Sequence, residues 1–163
     1  MTNIIFCGKG GQGILYASNI FVKAIFFNTS LYVSSSDIHG LARRGGSVRS
    51  EIRYSTSTIF SPVVEKADYI VDFDGAEHIL YESQCTSNTT IISIKQPNNL
   101  IGKCKFIYIN LFEISSLNNI PKKFQNMILL GFLVKYLHFE KFNWHELITS
   151  SKNYEAFILG TNS

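Results

Sequence analysis

"NIIFCGKGGQGILYASNIFVKAIFF", residues 3–27, sets a short apolar run, a glycine-rich loop and an amphipathic stretch one after the other. The apolar run Asn3–Cys7 ends at a glycine, as a buried strand commonly does. From Ile14 to Phe27 the apolar side chains recur at the three- and four-residue spacing of a helix that packs on a core. The segment therefore predicts a strand, a tight loop and a helix, which is the opening unit of an α/β fold.

The loop between this strand and helix is "GKGGQG", in which Gly8, Gly10 and Gly13 match the pattern GxGxxG. Glycine permits positive φ angles and close approach, and a helix N-terminus presents free N–H groups with a partial positive charge. A pyrophosphate, a carboxylate or a neighbouring backbone would all fit such a loop. A dinucleotide would also need an acidic residue at the end of the second strand, and Asp37 comes slightly late. NAD(P) binding and a tight turn without a ligand both remain open.

The rest of the chain continues the alternation of strands and helices. Further strands are predicted at Leu31–Ser35, Ser47–Tyr54, Ala67–Phe73, Thr90–Ile94 and Lys105–Ile109. Thr58–Phe60 can pair with Ser47–Tyr54 in a hairpin, which indicates a mixed sheet. Later helices are predicted at Gly75–Tyr81, Phe124–Tyr136 and Trp144–Thr149. The pattern predicts one domain, residues 1–163, folded as a Rossmann-like three-layer α/β/α sandwich with a mixed, mostly parallel sheet.

The composition limits the classes of function. Hydrophobic residues make up 45% of the chain, charged residues 17%, and the formal net charge is +3. This balance supports a sizeable core and does not demand nucleic acid or a membrane surface as a partner. The sequence shows neither a signal peptide nor an apolar run of the roughly 20 residues that span a bilayer, so a cytoplasmic protein is expected.

The three cysteines, Cys7, Cys85 and Cys104, are far apart and form no CxxC pair. An iron–sulfur cluster or a zinc site within this chain is therefore not expected. Asp72 and Asp74 flank a phenylalanine at a predicted strand end, where α/β sheets place ligands. No third ligand is visible nearby, so no metal site is predicted.

A stretch with many polar residues, "SSSDIHGLARRGGSVRSEIRY", residues 34–54, runs from the end of the second predicted strand to the end of the third. Within it His39, Arg43 and Arg44 lie within six residues and precede Gly45-Gly46. Such a run can be a solvated loop, or it can present cations to a carboxylate, a diphosphate or an acidic partner surface.

Three motifs in this order resemble one family: "GKGGQGI", then "SDIHGLARRGGSVRSEIR", then "FSPVVEKADYIVDFD". They are similar to the small subunit of indolepyruvate:ferredoxin oxidoreductase and, more widely, to the γ-type domain of the 2-oxoacid:ferredoxin (acceptor) oxidoreductases. The late segment "FQNMILLGFLVKYL", with Asn126 and Gly131, looks like the C-terminal helix of that family. The resemblance extends from about Asn3 to about Phe157.

The resemblance implies a subunit of an enzyme that oxidatively decarboxylates a 2-oxoacid to an acyl-CoA, with electrons passed to ferredoxin. Thiamine diphosphate with Mg²⁺ and [4Fe–4S] clusters would lie in a large partner subunit, and coenzyme A would be the co-substrate. This chain lacks the cysteines for a cluster and the GDG…NN pattern that holds thiamine diphosphate, so no cofactor held by it alone is expected. It would act in a hetero-oligomer and be inactive in isolation.

The resemblance also singles out candidate cofactor-binding or interface residues. In this interpretation the glycine loop is a side-chain-free edge that a partner or a coenzyme A phosphate approaches, with Gln12 as a hydrogen-bonding group. Gly45, Gly46 and Ser47 would turn the chain or form an anion nest, and Asn126 would hydrogen-bond a loop carbonyl. His39 is the one candidate for a catalytic residue. The alternative is that His39 is a hydrogen-bonded structural histidine. The full set is Gly8, Gly10, Gly11, Gln12, Gly13, His39, Gly40, Arg43, Arg44, Gly45, Gly46, Ser47 and Asn126.

Two other functions stay open at this point. A free-standing NAD(P)-binding oxidoreductase would bind nicotinamide nucleotides as an isolated chain. A binding module that has lost its oxidoreductase partner would show neither nucleotide binding nor a large subunit.

Overall fold

The computed structural model describes residues 1–39, 45–97 and 104–163, and six strands in these ranges form one sheet. The strands are β1 (Thr2–Lys9), β2 (Tyr32–His39), β3 (Ser47–Ser55), β4 (Tyr69–Asp72), β5 (Thr90–Ser93) and β6 (Lys105–Tyr108). Their order is β2-β3-β1-β4-β5-β6. Strand β3 runs antiparallel to both β1 and β2, whereas β1, β4, β5 and β6 are parallel to one another. The predicted mixed, mostly parallel sheet is therefore confirmed.

The helices cover the two faces of the sheet unequally. The α-helices are α1 (Ile14–Asn28), α2 (Leu111–Leu117), α3 (Gln125–Tyr136), α4 (Trp144–Leu147) and α5 (Ser151–Thr161), with 3₁₀ helices at Glu77–Gln84 and Lys122–Phe124. Buried side chains of all five α-helices join one large core cluster with Phe6 and Ile52 of the sheet. The opposite face carries a smaller cluster around Ile5 and Ile70, covered by Val64 and by Tyr81 of the longer 3₁₀ helix.

Helices α3 and α5 cross at two glycines. A Cβ atom on Gly131 would overlap the carbonyl oxygen of Phe157, and a Cβ atom on Gly160 would overlap the carbonyl oxygen of Ile128. The two backbones therefore touch directly, which ordinary side chains would prevent. This crossing brings Phe157 into the large core cluster beside α3.

Two predictions about the strands are wrong. Thr58–Phe60 is not a strand, and the Phe60 side chain is 96% exposed. Strand β3 instead has β1 on one side and β2 on the other, so the sheet is mixed for a different reason than the predicted hairpin. Strand β2 does not end at Ser35 but continues to His39, because β3 runs beside it along its whole length.

The helix predictions missed α2 and α5. Both helices are short or begin with polar residues, which weakens the apolar periodicity. Each has a capping signal, since the Asn110 side chain accepts a hydrogen bond from the Glu113 N–H and the Ser150 side chain accepts one from the Asn153 N–H. The helix predicted at Gly75–Tyr81 is a 3₁₀ helix that begins at Glu77. None of the helices in the described ranges is long and apolar enough to cross a bilayer.

Candidate functional site

The carboxyl ends of β1 and β4 meet at one edge of the sheet, beside the start of α1. In the strand order, the connection from β1 through α1 leads to β2, toward one edge strand. The connection from β4 leads to β5, in the direction of the opposite edge strand. Ligands of open α/β sheets bind in the crevice at such a switch of direction. A cleft of ≈ 470 Å³ lies here, and Gly11, Gln12, Phe73, Asp74 and Asn126 are among its lining residues.

Gln12 ties the glycine loop to the end of β4. Its side-chain Oε1 accepts a hydrogen bond from the Lys9 N–H at 2.6 Å, and its Nε2 donates one to Asp74 Oδ1 at 3.1 Å. A Cβ atom on Gly8 would lie only 2.6 Å from that Oε1. A side chain at position 8 would therefore displace the Gln12 amide from the contacts that join the two strand ends.

Asn126 of α3 holds the other end of the loop. Its Nδ2 donates a hydrogen bond to the Gly13 carbonyl oxygen at 3.3 Å, as predicted for a loop carbonyl, and the same oxygen accepts from the Ala17 N–H at 3.0 Å. Gly13 has a φ of 76°, and a Cβ atom there would overlap the Asn126 amide. Gly13 is thus needed both for its backbone conformation and for contact between α1 and α3.

We expect Gly13→Ala to lower the free energy of unfolding by about 2–3 kcal/mol, because left-handed strain adds to a steric overlap. Gly11→Ala is the matched control. Gly11 also has a positive φ of 93°, but no described atom lies within 4 Å of its Cβ position. The control should therefore show only the strain, about 1 kcal/mol. Denaturant unfolding of both variants measures the difference, and equal losses would contradict the packing role of Asn126.

The second glycine segment lies against the first. The Gly10 N–H donates to the Gly46 carbonyl oxygen at 2.8 Å, and Ser47 pairs with Lys9 at the start of β3. Gly45 has a φ of 101°, and no described atom lies within 4 Å of its Cβ position. Among the described atoms, the Cβ positions of Gly11 and Gly45 are therefore open, whereas those of Gly8 and Gly13 lie against other side chains. The role of this loop as an edge for a partner or a cofactor remains a prediction.

The structure places His39 as the last residue of β2, with its backbone paired to Val48. Gly40, Arg43 and Arg44 lie outside the described residues. The proposed roles of these four residues remain predictions.

Asp72 is fully buried at the end of β4 and organises the turn that follows it. Its carboxylate accepts from the N–H groups of Asp74, Gly75 and His78 at 2.8–3.1 Å and contacts His78 Nδ1 at 2.6 Å. These contacts occupy both carboxylate oxygens. Among the described residues, no three His, Cys, Asp or Glu side chains form a group that could hold a metal ion.

Three lysines that line the cleft were not identified from the sequence: Lys95, Lys122 and Lys123. Asp74 is the one carboxylate among the described lining residues, and it already accepts from Gln12. A Cβ atom on Gly75 would lie 2.5 Å from Lys95 Cγ, so this glycine leaves room for the lysine stem. The Pro121-Lys122-Lys123 run just before α3 was the signal available in the sequence.

Two other titratable groups near the loop, those of Lys9 and Cys7, have pKa values shifted by their surroundings. Lys9 pairs with the buried Glu77 carboxylate, and this hydrogen-bonded pair raises the pKa of Lys9 above its usual value. Burial, with the nearby carboxylates, raises the pKa of the Cys7 thiol well above its usual value. Both groups stay protonated at neutral pH. Among the described residues that line the cleft, the cations are Lys95, Lys122 and Lys123.

The topology does not favour a Rossmann-type dinucleotide site. In that fold the acidic residue that binds the ribose ends the strand next to β1. Here β3 lies between β1 and β2, so Asp37 is two strands away from the glycine loop. Its carboxylate accepts a hydrogen bond from the Ser50 hydroxyl at 2.5 Å.

Comparison with known proteins identifies a family and several relatives. The model for "Pyruvate ferredoxin/flavodoxin oxidoreductase" matches residues 3–160. Indolepyruvate oxidoreductase subunit IorB of Archaeoglobus fulgidus is 32% identical over 110 residues, which are 64% of this chain and 53% of that protein. The same-named subunit of Methanothermobacter thermautotrophicus is 37% identical over 98 residues, which are 55% of this chain and 48% of that protein. The chain thus spans about half the length of these relatives.

Two solved structures have the same fold. A 2-oxoglutarate:ferredoxin oxidoreductase from Magnetococcus marinus, with 2-oxoglutarate, coenzyme A and succinyl-CoA bound, superposes with a TM-score of 0.85 at 17% identity over 99% of this chain and 30% of that one. The γ subunit of a keto/oxoacid ferredoxin oxidoreductase from Geobacter sulfurreducens gives 0.76 at 20% identity, covering 99% and 97% of the two chains.

Proposed function

The chain belongs to the pyruvate ferredoxin/flavodoxin oxidoreductase family, and we propose that it is the small, γ-type subunit of a 2-oxoacid:ferredoxin oxidoreductase. The proposed substrate is indolepyruvate or a related aryl or alkyl pyruvate. The complex would convert the 2-oxoacid and coenzyme A to an acyl-CoA and carbon dioxide, and would pass two electrons to ferredoxin. Residues 1–163 would form a single γ-type domain of a cytoplasmic hetero-oligomer that binds neither nucleic acid nor membrane.

One observation carries the proposal: the family match extends over residues 3–160, and relatives at 32–37% identity are indolepyruvate oxidoreductase subunits. The substrate class follows from the names of those relatives. The proposed role as a subunit rests on the family match and on the lack of cofactor-binding motifs in this sequence.

The cysteines of this chain do not fit the iron–sulfur clusters that such an enzyme needs. A [4Fe–4S] cluster takes four cysteine ligands, and the chain has three cysteines, of which Cys7 is buried in the sheet. Thiamine diphosphate would supply the carbanion stabilisation and the clusters the electron transfer. We therefore assign thiamine diphosphate, Mg²⁺ and [4Fe–4S] clusters to a large partner subunit.

In this proposal the edge at Gly11 and Gly45 faces the large subunit, because a surface without side chains allows close approach of another backbone. We also propose that the candidate residues named from the sequence, including His39, Arg43 and Arg44, face the partner subunit or a cofactor. The internal contacts of Gln12 and Asn126 give these two residues the role of holding that edge in shape.

The test is anaerobic co-expression of this chain with the large subunit of an indolepyruvate oxidoreductase, followed by native mass spectrometry. We expect a complex that carries thiamine diphosphate and iron–sulfur clusters. That complex should reduce ferredoxin with indolepyruvate and coenzyme A faster than with 2-oxoglutarate. The large subunit alone should be at least tenfold less active, since the γ-type subunit completes the assembly.

Absence of a complex under gentle conditions would refute the subunit assignment. A complex that prefers 2-oxoglutarate would leave the subunit assignment in place and refute the substrate. Nicotinamide reduction by the isolated chain would favour a free-standing NAD(P) enzyme instead.

A further inference from the structure

The three cysteines are far apart in the sequence, but the fold gathers them on the face of the sheet that carries the smaller core cluster. Cys7 of β1 is buried in that cluster with Ile5 and Ile70, and the half-buried Cys85 and Cys104 pack against it. Cys85 directly follows the longer 3₁₀ helix, and Cys104 directly precedes β6. These two thiols therefore lie where β5 and β6 begin, at the edge of the sheet opposite to the glycine loop.

The backbone around Cys85 and Cys104 is held by a common set of hydrogen bonds. Cys104 Sγ donates to the carbonyl oxygen of Thr86, the residue after Cys85, at 3.3 Å. The Thr86 N–H donates to Thr89 Oγ1 at 2.8 Å, and the Lys105 N–H donates to the Thr89 carbonyl oxygen at 3.0 Å. Thr89 thus joins the residues next to both cysteines. The two segments are already positioned together before any covalent bond forms between them.

The two thiols contact each other as well as the backbone. Cys85 Sγ donates to the Tyr81 carbonyl oxygen at 3.5 Å, and the Cys85 thiol also has a side-chain hydrogen bond with Cys104. Burial, and after it the neighbouring Cys104, raises the pKa of Cys85 to about 12; Glu82 raises this pKa further, and Lys66 opposes the shift. At neutral pH Cys85 is therefore a thiol, and its nucleophilic thiolate form is scarce. The pair is stable in the reduced state and closes only when an oxidant is supplied.

We propose that Cys85 and Cys104 form a modification site, which a hydroperoxide converts to an intramolecular disulfide. One cysteine, as its thiolate, attacks the peroxide oxygen and becomes a sulfenic acid, and hydrogen peroxide leaves as water. The second thiol attacks the sulfenic sulfur, which forms the S–S bond and releases another water. The two cysteines together lose two electrons, and the peroxide gains them. A dithiol reductant reverses the reaction by thiol–disulfide exchange.

The crosslink would fasten an edge of the sheet. Strand β6 has only four residues and stands at one end of the strand order, where it pairs with β5 alone. A bond between positions 85 and 104 would join the start of this strand to the end of the 3₁₀ helix and close a loop that contains β5. Such a bond restricts the unfolded chain, so the oxidised protein is more stable than the reduced one.

The experiment treats the reduced, folded, full chain with hydrogen peroxide at pH 8 and follows its mass, its free thiols and its melting temperature. We expect a loss of about 2 Da, since a disulfide replaces two thiols, and a crosslinked Cys85–Cys104 peptide pair after proteolysis. Unfolded oxidised protein should show one free thiol instead of three. The Tm should rise by about 5–10 °C on oxidation, and dithiothreitol should return it to the starting value.

The matched control is Cys7→Ala, which leaves the pair intact and should show the same mass loss and the same rise in Tm on oxidation. Cys85→Ser and Cys104→Ser should show neither change. A crosslink between Cys7 and Cys85, a mass gain without a crosslink, or three remaining free thiols in the wild-type chain would overturn the proposal. The peptide map of the wild-type chain decides between these outcomes even where a variant does not fold. Because the assay uses no partner subunit, its result is independent of the oxidoreductase assembly proposed above.

Discussion

Gly160→Ala should destabilise the protein by about 3 kcal/mol, although alanine is the better helix former by about 1 kcal/mol. The added methyl group would overlap the carbonyl oxygen of Ile128 in α3. That atom belongs to a helix backbone and cannot rotate away as a flexible side chain can. Relief would require the two helices to separate, which would open the core around Met127 and Phe157.

Thermal and denaturant unfolding with a circular-dichroism signal measures this loss. Gly131→Ala should behave in the same way, because its methyl group would overlap the carbonyl of Phe157. Lys152→Ala, on the exposed side of α5, is the control and should change stability by less than about 0.5 kcal/mol. A Gly160→Ala variant as stable as this control would show that α3 and α5 do not cross in close contact.

The sequence was sufficient for the fold class because strong periodicity marks the strands and helices that form the centre of the molecule. The apolar run before Gly8 and the helix after Gly13 lie where they were predicted. The predicted partner strand of β3 was wrong because strand pairing depends on contacts between segments that are distant in the sequence. A local turn signal at residues 55–57 favoured a hairpin with Thr58–Phe60, but β3 pairs instead with the preceding strand β2 and, non-locally, with β1.

The crossing of α3 and α5 shows what periodicity alone cannot supply. The sequence predicts no helix at Ser151–Thr161, so it gives no reason to expect that Gly160 touches another helix. In the structure the same glycine is the closest contact between two helices. Gly160 lies one residue before the end of α5, and the lack of a side chain there is explained by its contact with the Ile128 carbonyl of α3, three residues before Gly131.

The candidate site was predicted in part. The glycine loop, Gly45-Gly46 and Asn126 do come together, because a strand end and two helix N-termini meet at one edge of the sheet. The lysines of the cleft were missed because Lys95 reaches the site only by packing over Gly75. Lys95 is isolated in the sequence and carries no signal there, and its approach to Lys122 and Lys123 depends on the order of the strands.

Asp72→Ala should lower the free energy of unfolding by about 4 kcal/mol, which is near the upper end for a single substitution. The Asp72 side chain is fully buried and accepts hydrogen bonds from three backbone N–H groups and from the His78 ring. Alanine would leave these donors buried without an acceptor, and a lost buried partner costs more than the bond itself contributes. Asp72→Asn, which keeps one acceptor oxygen, should show a smaller loss.

Asp74→Ala is the matched control, since it removes a neighbouring carboxylate that accepts one hydrogen bond from Gln12. We expect it to lose about 1 kcal/mol. The turn held by Asp72 also seats Gly75 and, through it, the stem of Lys95. Similar stability losses for Asp72→Ala and Asp74→Ala would refute the organising role of Asp72, because the buried carboxylate would then contribute no more than the half-buried one.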